Sequence, residues 1–303
     1  MLKPVHLLTL RAVCRSGSFA VAARDLGYTS SAISQQIAGL EKDTGLVLFE
    51  REAHGIRATA AAHRLVEAGG RVLAALDDLD HHVQELATGT AGRLRLGSFP
   101  TASVRLVPAA LTAFAASHPR AEIRLEEGEP DELLGPLAGG DLDVALAYEY
   151  GLSPRRWPDG LAAHPVLRED LLLLRPRESG LGTELPSLAG ARWVTSREGT
   201  AGALSLNRLC AAAGFTPAVG FRSNNYDVVR ELVSAGFGVA VVPALGHVDD
   251  DRILATRLTR RSAYRRVVAL HREANSNPLL PAVLAALRRA VPGDAAHVRP
   301  VGS

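Results

Sequence analysis

The residues best suited to chemistry lie in one short run, TSSAISQQI, at positions 29–37. Thr29, Ser30, Ser31, Ser34 and Gln35 offer hydroxyls and an amide, with almost no charge beside them. Such groups are good readers of hydrogen-bonding surfaces. A glutamine can donate to and accept from adenine together, and serine can bond base edges or phosphate oxygens. A helix N-terminus adds backbone N–H groups for a phosphate. The chemistry implied is recognition of duplex DNA. The plainer alternative is a polar surface helix of unusual composition.

The elements that must hold this run are legible around it. Ile33, Ile37 and Leu40 fall within about 60° of one another at 100° per residue, which makes them a buried stripe. Ser31, Gln35, Ala38 and Lys42 lie roughly 140° to 200° from that stripe, pointing outward. Gln36 falls on the flank of the buried side, so it is expected to pack or bond locally. Gly17 and Gly27 suit the left-handed position after a helix, while Ser18 and Thr29 suit N-caps. Three helices follow, ending near residue 16, at 18–26 and at 30–43, the last two forming a helix-turn-helix.

The stretch AARDLGYTSSAISQQIAGLEKDTGLVLFER, with SGSF ahead of it, resembles the N-terminal winged helix-turn-helix of LysR-type transcriptional regulators. The resemblance spans residues 2 to about 65. It implies that Ser30, Ser31, Ser34 and Gln35 face the groove and that Arg51 opens the wing. The family pattern has a second arginine where this chain has His54, and Leu-Thr-x-Ala-Gly where it has Ala58-Thr59-Ala60-Ala61-Ala62. A histidine is uncharged for much of the time near neutral pH. Arg57 therefore stands as the alternative wing cation.

Beyond the wing, Leu65, Val72, Leu79 and Leu86 recur every seven residues, with Gly69, Leu76 and Val83 between them. This is a coiled-coil seam, and it predicts a dimerisation helix over 61–89. The alternative is an amphipathic helix packed on its own domain. A dimer addresses two half-sites, so a small reader of modest charge can bind tightly. Charge itself says little: residues 1–60 carry seven basic and five acidic residues, and the whole chain is only +2.

The remaining chain alternates strands and helices, a mostly parallel α/β pattern. GRLRLGSFPTASVRLVP, GGDLDVALAY and VSAGFGVAVVPALG resemble the effector-binding domain of the same family, which is similar to periplasmic binding proteins. The resemblance implies two subdomains, about 91–162 with 266–291 and about 163–265, joined by crossings near 161–166 and 262–268. VRLVPAALTAFAASH is expected to be one helix, and residues 292–303 a disordered tail. Ligands in open α/β sheets bind beyond the carboxyl ends of the strands. Segments expected there supply Ser98, Phe99, Pro100, Thr101 and Ser103, then Tyr148 and Tyr150, then Ser196 and Thr200, then Ser223, Asn224 and Pro243. Three of these segments enter helices near 102, 201 and 226, whose N-termini favour an anion. Acidic Glu126, Glu127, Glu129 and Asp131 argue the other way, so the ligand stays open. Each Ser, Thr or Asn can also be a simple cap.

Other functions lack their residues. There is no nucleophile elbow, CxxC, HExxH, P-loop or dinucleotide fingerprint, and the ten histidines have no metal-ligand spacing. No catalytic residue, metal or cofactor is expected. Cys14 and Cys210 read as buried thiols of a reducing compartment. The N-terminus lacks a signal peptide's apolar run and no stretch is long enough to span a membrane, so the cytoplasm is expected. The sequence therefore predicts a winged helix-turn-helix (1–60), a linker helix (61–89) and a two-subdomain α/β effector domain (90–291). The expected function is effector-controlled transcriptional regulation, with double-stranded DNA, a small-molecule effector and a second or further copies of the chain as partners. The alternative is a small-molecule binding protein whose N-terminus only dimerises.

Overall fold

A computed structural model describes residues 2–52, 55–88, 92–291 and 297–301. Helices α1 (Pro4–Ser16), α2 (Phe19–Leu26) and α3 (Ser30–Thr44) pack on one core with Leu10, Val13, Ile33, Ile37 and Leu40 at its centre. Their ends follow the caps. Gly17 and Gly27 adopt φ of 65° and 72°, and the Ser18 and Thr29 side chains accept from Val21 and Ala32 N–H. β1 (Phe49–Glu52) and β2 (Gly55–Ala58) form an antiparallel hairpin, the wing.

The chain then runs into α4 (Ala60–Thr88), the long linker helix. Its first turns pack in cis: Leu65 joins the core of the three-helix unit, and a Cβ on Gly69 would meet Leu7 at 3.1 Å. Leu65 is therefore not part of an open seam, because α1 already covers that face. Farther along, Val72, Leu76, Leu79 and Val83 are exposed although apolar. The Leu86 side chain lies outside the described residues, as do residues 89–91.

The rest forms one ten-stranded sheet folded into two lobes. Lobe I holds β3 (Arg93–Ser98), α5 (Pro100–Arg105), α6 (Val107–Ser117), β4 (Glu122–Glu127), α7 (Pro130–Ala138) and β5 (Val144–Tyr150). Strand β6 (Leu161–Pro176) crosses to lobe II, which holds β7 (Arg192–Thr195), α8 (Ala201–Ala211), β8 (Ala218–Arg222), α9 (Tyr226–Ser234), β9 (Val239–Pro243) and β10 (Ile253–Arg257). β11 (Tyr264–Arg272) and α10 (Leu280–Arg289) return to lobe I. Strands β4, β3 and β5 are parallel, as are β8, β7 and β9, while β6 and β11 run antiparallel to their neighbours.

Three expectations change here. β6 is continuous and pairs with β11 up to Asp170, then with β9 from Leu171, so the first crossing falls at 170–171 rather than 161–166. The expected single helix after β3 is two, broken at Leu106; Pro108 has no N–H to continue the ladder. The disorder expected of the C-terminal tail does not hold for residues 297–301. Val298–Pro300 form β12 on β6, because Val298 is buried in the lobe I core and Asp170 N–H donates to the His297 carbonyl at 2.9 Å.

The linker helix docks on lobe I. Gly140, at φ 82°, sits so close to α4 that a Cβ there would meet the Ala74 Cα at 2.8 Å. Arg95 lies between Asp77 of α4 and the fully buried Asp143, whose carboxylate accepts from the Arg95 backbone N–H at 2.7 Å and from its Nε at 3.1 Å. Arg11 of α1 bridges to Asp141 at 3.0 Å.

Candidate DNA-reading and effector sites

On α3, the buried spine leaves Ser30, Ser31, Ser34 and Gln35 on the exposed side. Thr29 is occupied as the cap: its Oγ1 accepts from Ala32 N–H at 3.2 Å and lies 3.0 Å from Ser31 Oγ. Gln36 turns inward, and its Oε1 accepts from the hydroxyl of Thr9, a residue with no exposure. The two glutamines thus divide as the wheel predicts, one presented to solvent and one tying α3 to α1. On the wing, Arg57 sits opposite Glu50 in the hairpin register and pairs with it, so its charge is partly countered in the free protein. The Arg51 side chain and His54 lie outside the described residues.

The second site is the cleft between the lobes. Phe99, Pro100, Thr101, Tyr148 and Tyr150 line one side, and Ser196, Thr200 and Asn224 the other. The expected convergence of the β3, β5, β7 and β8 strand ends is therefore present. Four expected residues stand apart. Ser98 is fully buried and donates to the Phe99 carbonyl, Ser103 does not line the cleft, and Pro243 pairs with Leu171 inside the sheet. Ser223 lines an inner chamber behind Tyr150 and Tyr226. Its hydroxyl accepts from Asn225 N–H at 3.1 Å, the turn that leads into α9.

Arg265 is the chemical centre, and reasoning from residue types along the strands passed it by. It is 1% exposed. Its Nε donates to Glu169 at 2.7 Å and one terminal nitrogen to Thr101 Oγ1 at 2.7 Å. Its guanidinium lies 5.0 Å from the Phe99 ring and 4.9 Å from the Tyr148 ring. Burial raises the Glu169 carboxyl, while Arg265 and the Leu245 N–H act against that by stabilising the anion. Burial also raises the phenols of Tyr148, Tyr150 and Tyr226, which keeps all three as neutral donors. Tyr148 spends its proton on Glu129, at 2.7 Å. A signal for the pair did exist: Glu169 is in phase with Leu167, Leu171 and Leu173, and Arg265 with Val267 and Ala269. An acid and a base on two apolar strand faces imply each other. Gly202, Tyr226 and Glu129 complete the lining.

The cleft is narrow, with about 20 Å³ of free volume between its walls. Among the described residues no group of three or more His, Cys, Asp or Glu is placed to hold a metal ion, and no helix is long and apolar enough to cross a membrane.

A winged reader, a long helix with an exposed apolar stripe and a two-lobed cleft define a regulator that senses and reads DNA in one chain. The comparisons agree. Residues 5–63 match the model described as a bacterial regulatory helix-turn-helix protein of the lysR family, and residues 87–292 match the LysR substrate binding domain. The chain belongs to the LysR family, and it is a DNA-binding transcriptional regulator with an effector-binding domain. The regulator CbbR of Sinorhizobium medicae is 30% identical over 84% of this chain and 80% of its own. The transcriptional dual regulator GltC of Bacillus subtilis is 30% identical over 70% of this chain and 71% of its own. Full-length CbnR, solved with its target DNA, is 26% identical with a TM-score of 0.63, over 95% of this chain and all of that one.

Proposed function

We propose that α3 reads the major groove through Ser30, Ser31, Ser34 and Gln35, with Thr29 as cap and phosphate contact and with Arg51, His54 and Arg57 serving the wing. The observation that carries this is the solvent face of α3, free of charge between Thr29 and Gln35 while its apolar spine is buried. Val72, Leu76, Leu79 and Val83 meet their counterparts in a second copy, with Leu86 continuing the seam. An exposed apolar stripe of this regularity is costly in water, and a twofold partner removes it. The effector binds in the cleft at Arg265, Thr101, Tyr148, Tyr150, Ser196, Thr200 and Asn224. The chain acts in the cytoplasm and catalyses no reaction. The reader, linker and effector domains occupy 1–60, 61–89 and 90–291.

The test is fluorescence anisotropy on duplex DNA from upstream of the gene, at stated salt. Binding that falls as salt rises, and that distinguishes this duplex from a scrambled one, is expected. Equal affinity for both duplexes refutes the assignment of α3.

A further inference from the structure

The wing pairs only with itself among the described residues: β1 bonds to β2 and to no other strand. Its position relative to α3 comes from packing of Phe49, Ile56 and Ala58 on the reader core, with the Phe49 ring 5.7 Å from that of Phe19, and from hydrogen bonds at its base. Two side chains supply those hydrogen bonds. Thr59, just ahead of α4, donates its hydroxyl to the Val47 carbonyl at 2.9 Å, and its N–H donates to the Leu48 carbonyl at 2.9 Å. That hydroxyl also accepts from Ala62 N–H at 3.2 Å, so Thr59 ties the hairpin to the linker helix. The tie to the reader helix is Glu41. Its Oε1 accepts from Leu48 N–H at 2.7 Å and from Phe49 N–H at 3.3 Å. Leu48 has no exposed surface, so the segment cannot turn those N–H groups to water without pulling Leu48 from the core.

We propose that Glu41 is a positioning residue for DNA reading: its carboxylate sets the wing against α3. Gln35 and the wing cation then reach neighbouring parts of one half-site together. The inference rests on the assignment of α3 as reader. A negative charge near DNA is otherwise unfavourable, so a carboxylate here requires a task that outweighs repulsion of phosphate. Accepting two backbone N–H groups at the base of the wing is such a task.

Reach and charge separate cleanly by substitution. Glu41→Gln keeps an acceptor oxygen at the same reach and removes the charge. Glu41→Asp keeps the charge and loses one methylene of reach. Positioning predicts that Gln rescues and Asp does not. A role through charge alone predicts the reverse.

The experiment measures affinity of the full chain for the upstream duplex across a salt series, well below each variant's melting midpoint. Glu41→Ala and Glu41→Asp should lose about tenfold or more in affinity. Their salt slope should fall by about one for each wing phosphate contact released. Glu41→Gln should stay within about threefold of wild type, and base preference at the Gln35 position should survive in all three. Ala23→Gly, buried in α2 of the same unit, controls for stability loss; it should lower the midpoint and leave the slope unchanged. Glutamine behaving as alanine does, aspartate binding as wild type does, or the slope falling equally in Ala23→Gly overturns the proposal. A wild-type chain that does not discriminate this duplex overturns the reader assignment, and the role of Glu41 with it.

Discussion

Glu169→Ala is the sharpest perturbation of the effector domain. The Glu169 side chain has no exposed surface and that of Arg265 has 2%, and the two meet at 2.7 Å. Removing the carboxylate leaves a buried guanidinium between Phe99 and Tyr148 with Thr101 as its neutral partner, and leaves the Leu245 N–H without its 2.6 Å acceptor. Breaking one side of a buried pair costs about 3–5 kcal/mol. For a domain of this size each kcal/mol moves the midpoint roughly 2–4 °C, so the variant should melt about 6–20 °C lower. Replacing both members, Glu169→Leu with Arg265→Met, should recover most of the loss, since no charge is then left unpaired. The assay is thermal and urea unfolding of wild type, Glu169→Ala, Glu169→Leu, Arg265→Met and the double variant, followed by tryptophan fluorescence from buried Trp193. A double variant as unstable as the sum of the singles refutes the coupling. A Glu169→Ala loss under about 1 kcal/mol refutes the burial argument itself.

Other outcomes follow from geometry already described. Gln35→Ala should cost about 1–3 kcal/mol of discrimination at one base pair, whereas Gln36→Ala, which unties Thr9, should lower the melting midpoint and spare specificity; the opposite ranking in competition binding would reverse the helix orientation. Leu79→Asp, at a 57% exposed position, should abolish the dimer with little effect on the fold, so an unchanged mass by light scattering rejects the seam. Burial pushes Cys14 up to about 11 and Cys210 up to about 12. The native chain should therefore resist iodoacetamide at neutral pH and react on unfolding; rapid native labelling would contradict it. Burial, then His271 and Arg288, hold His164 below the usual histidine value. The unfolded chain then takes the proton first as pH falls through about 6.5. Stability should decline below that pH and be regained above it, and His164→Gln should flatten the decline in a melting series.

Much of the reader was legible because its signals are local. A cap three residues before the N–H it serves, a glycine at a helix end and a stripe of three apolar residues need no distant partner. The same holds for the division between Gln35 and Gln36. The effector cleft was legible only as a set of strand ends. Its charged centre joins Glu169 and Arg265, 96 residues apart, and only the sheet register brings them together. Leu65 misled for the converse reason: the period of seven was real, but α1 had already covered that turn. The tail misled because a bias toward glycine, proline and polar residues hid one valine that finds the core.

The close approach of Gly140 to Ala74, with Arg95 held between Asp77 and Asp143, has a mechanical consequence. Lobe I and the middle of the linker helix meet backbone to backbone, so a side chain at Gly140 would force the two apart. If the proposed cleft takes an effector, the movement between the lobes is expected to displace lobe II about the strands that cross beside Asp170, with lobe I kept against the linker helix.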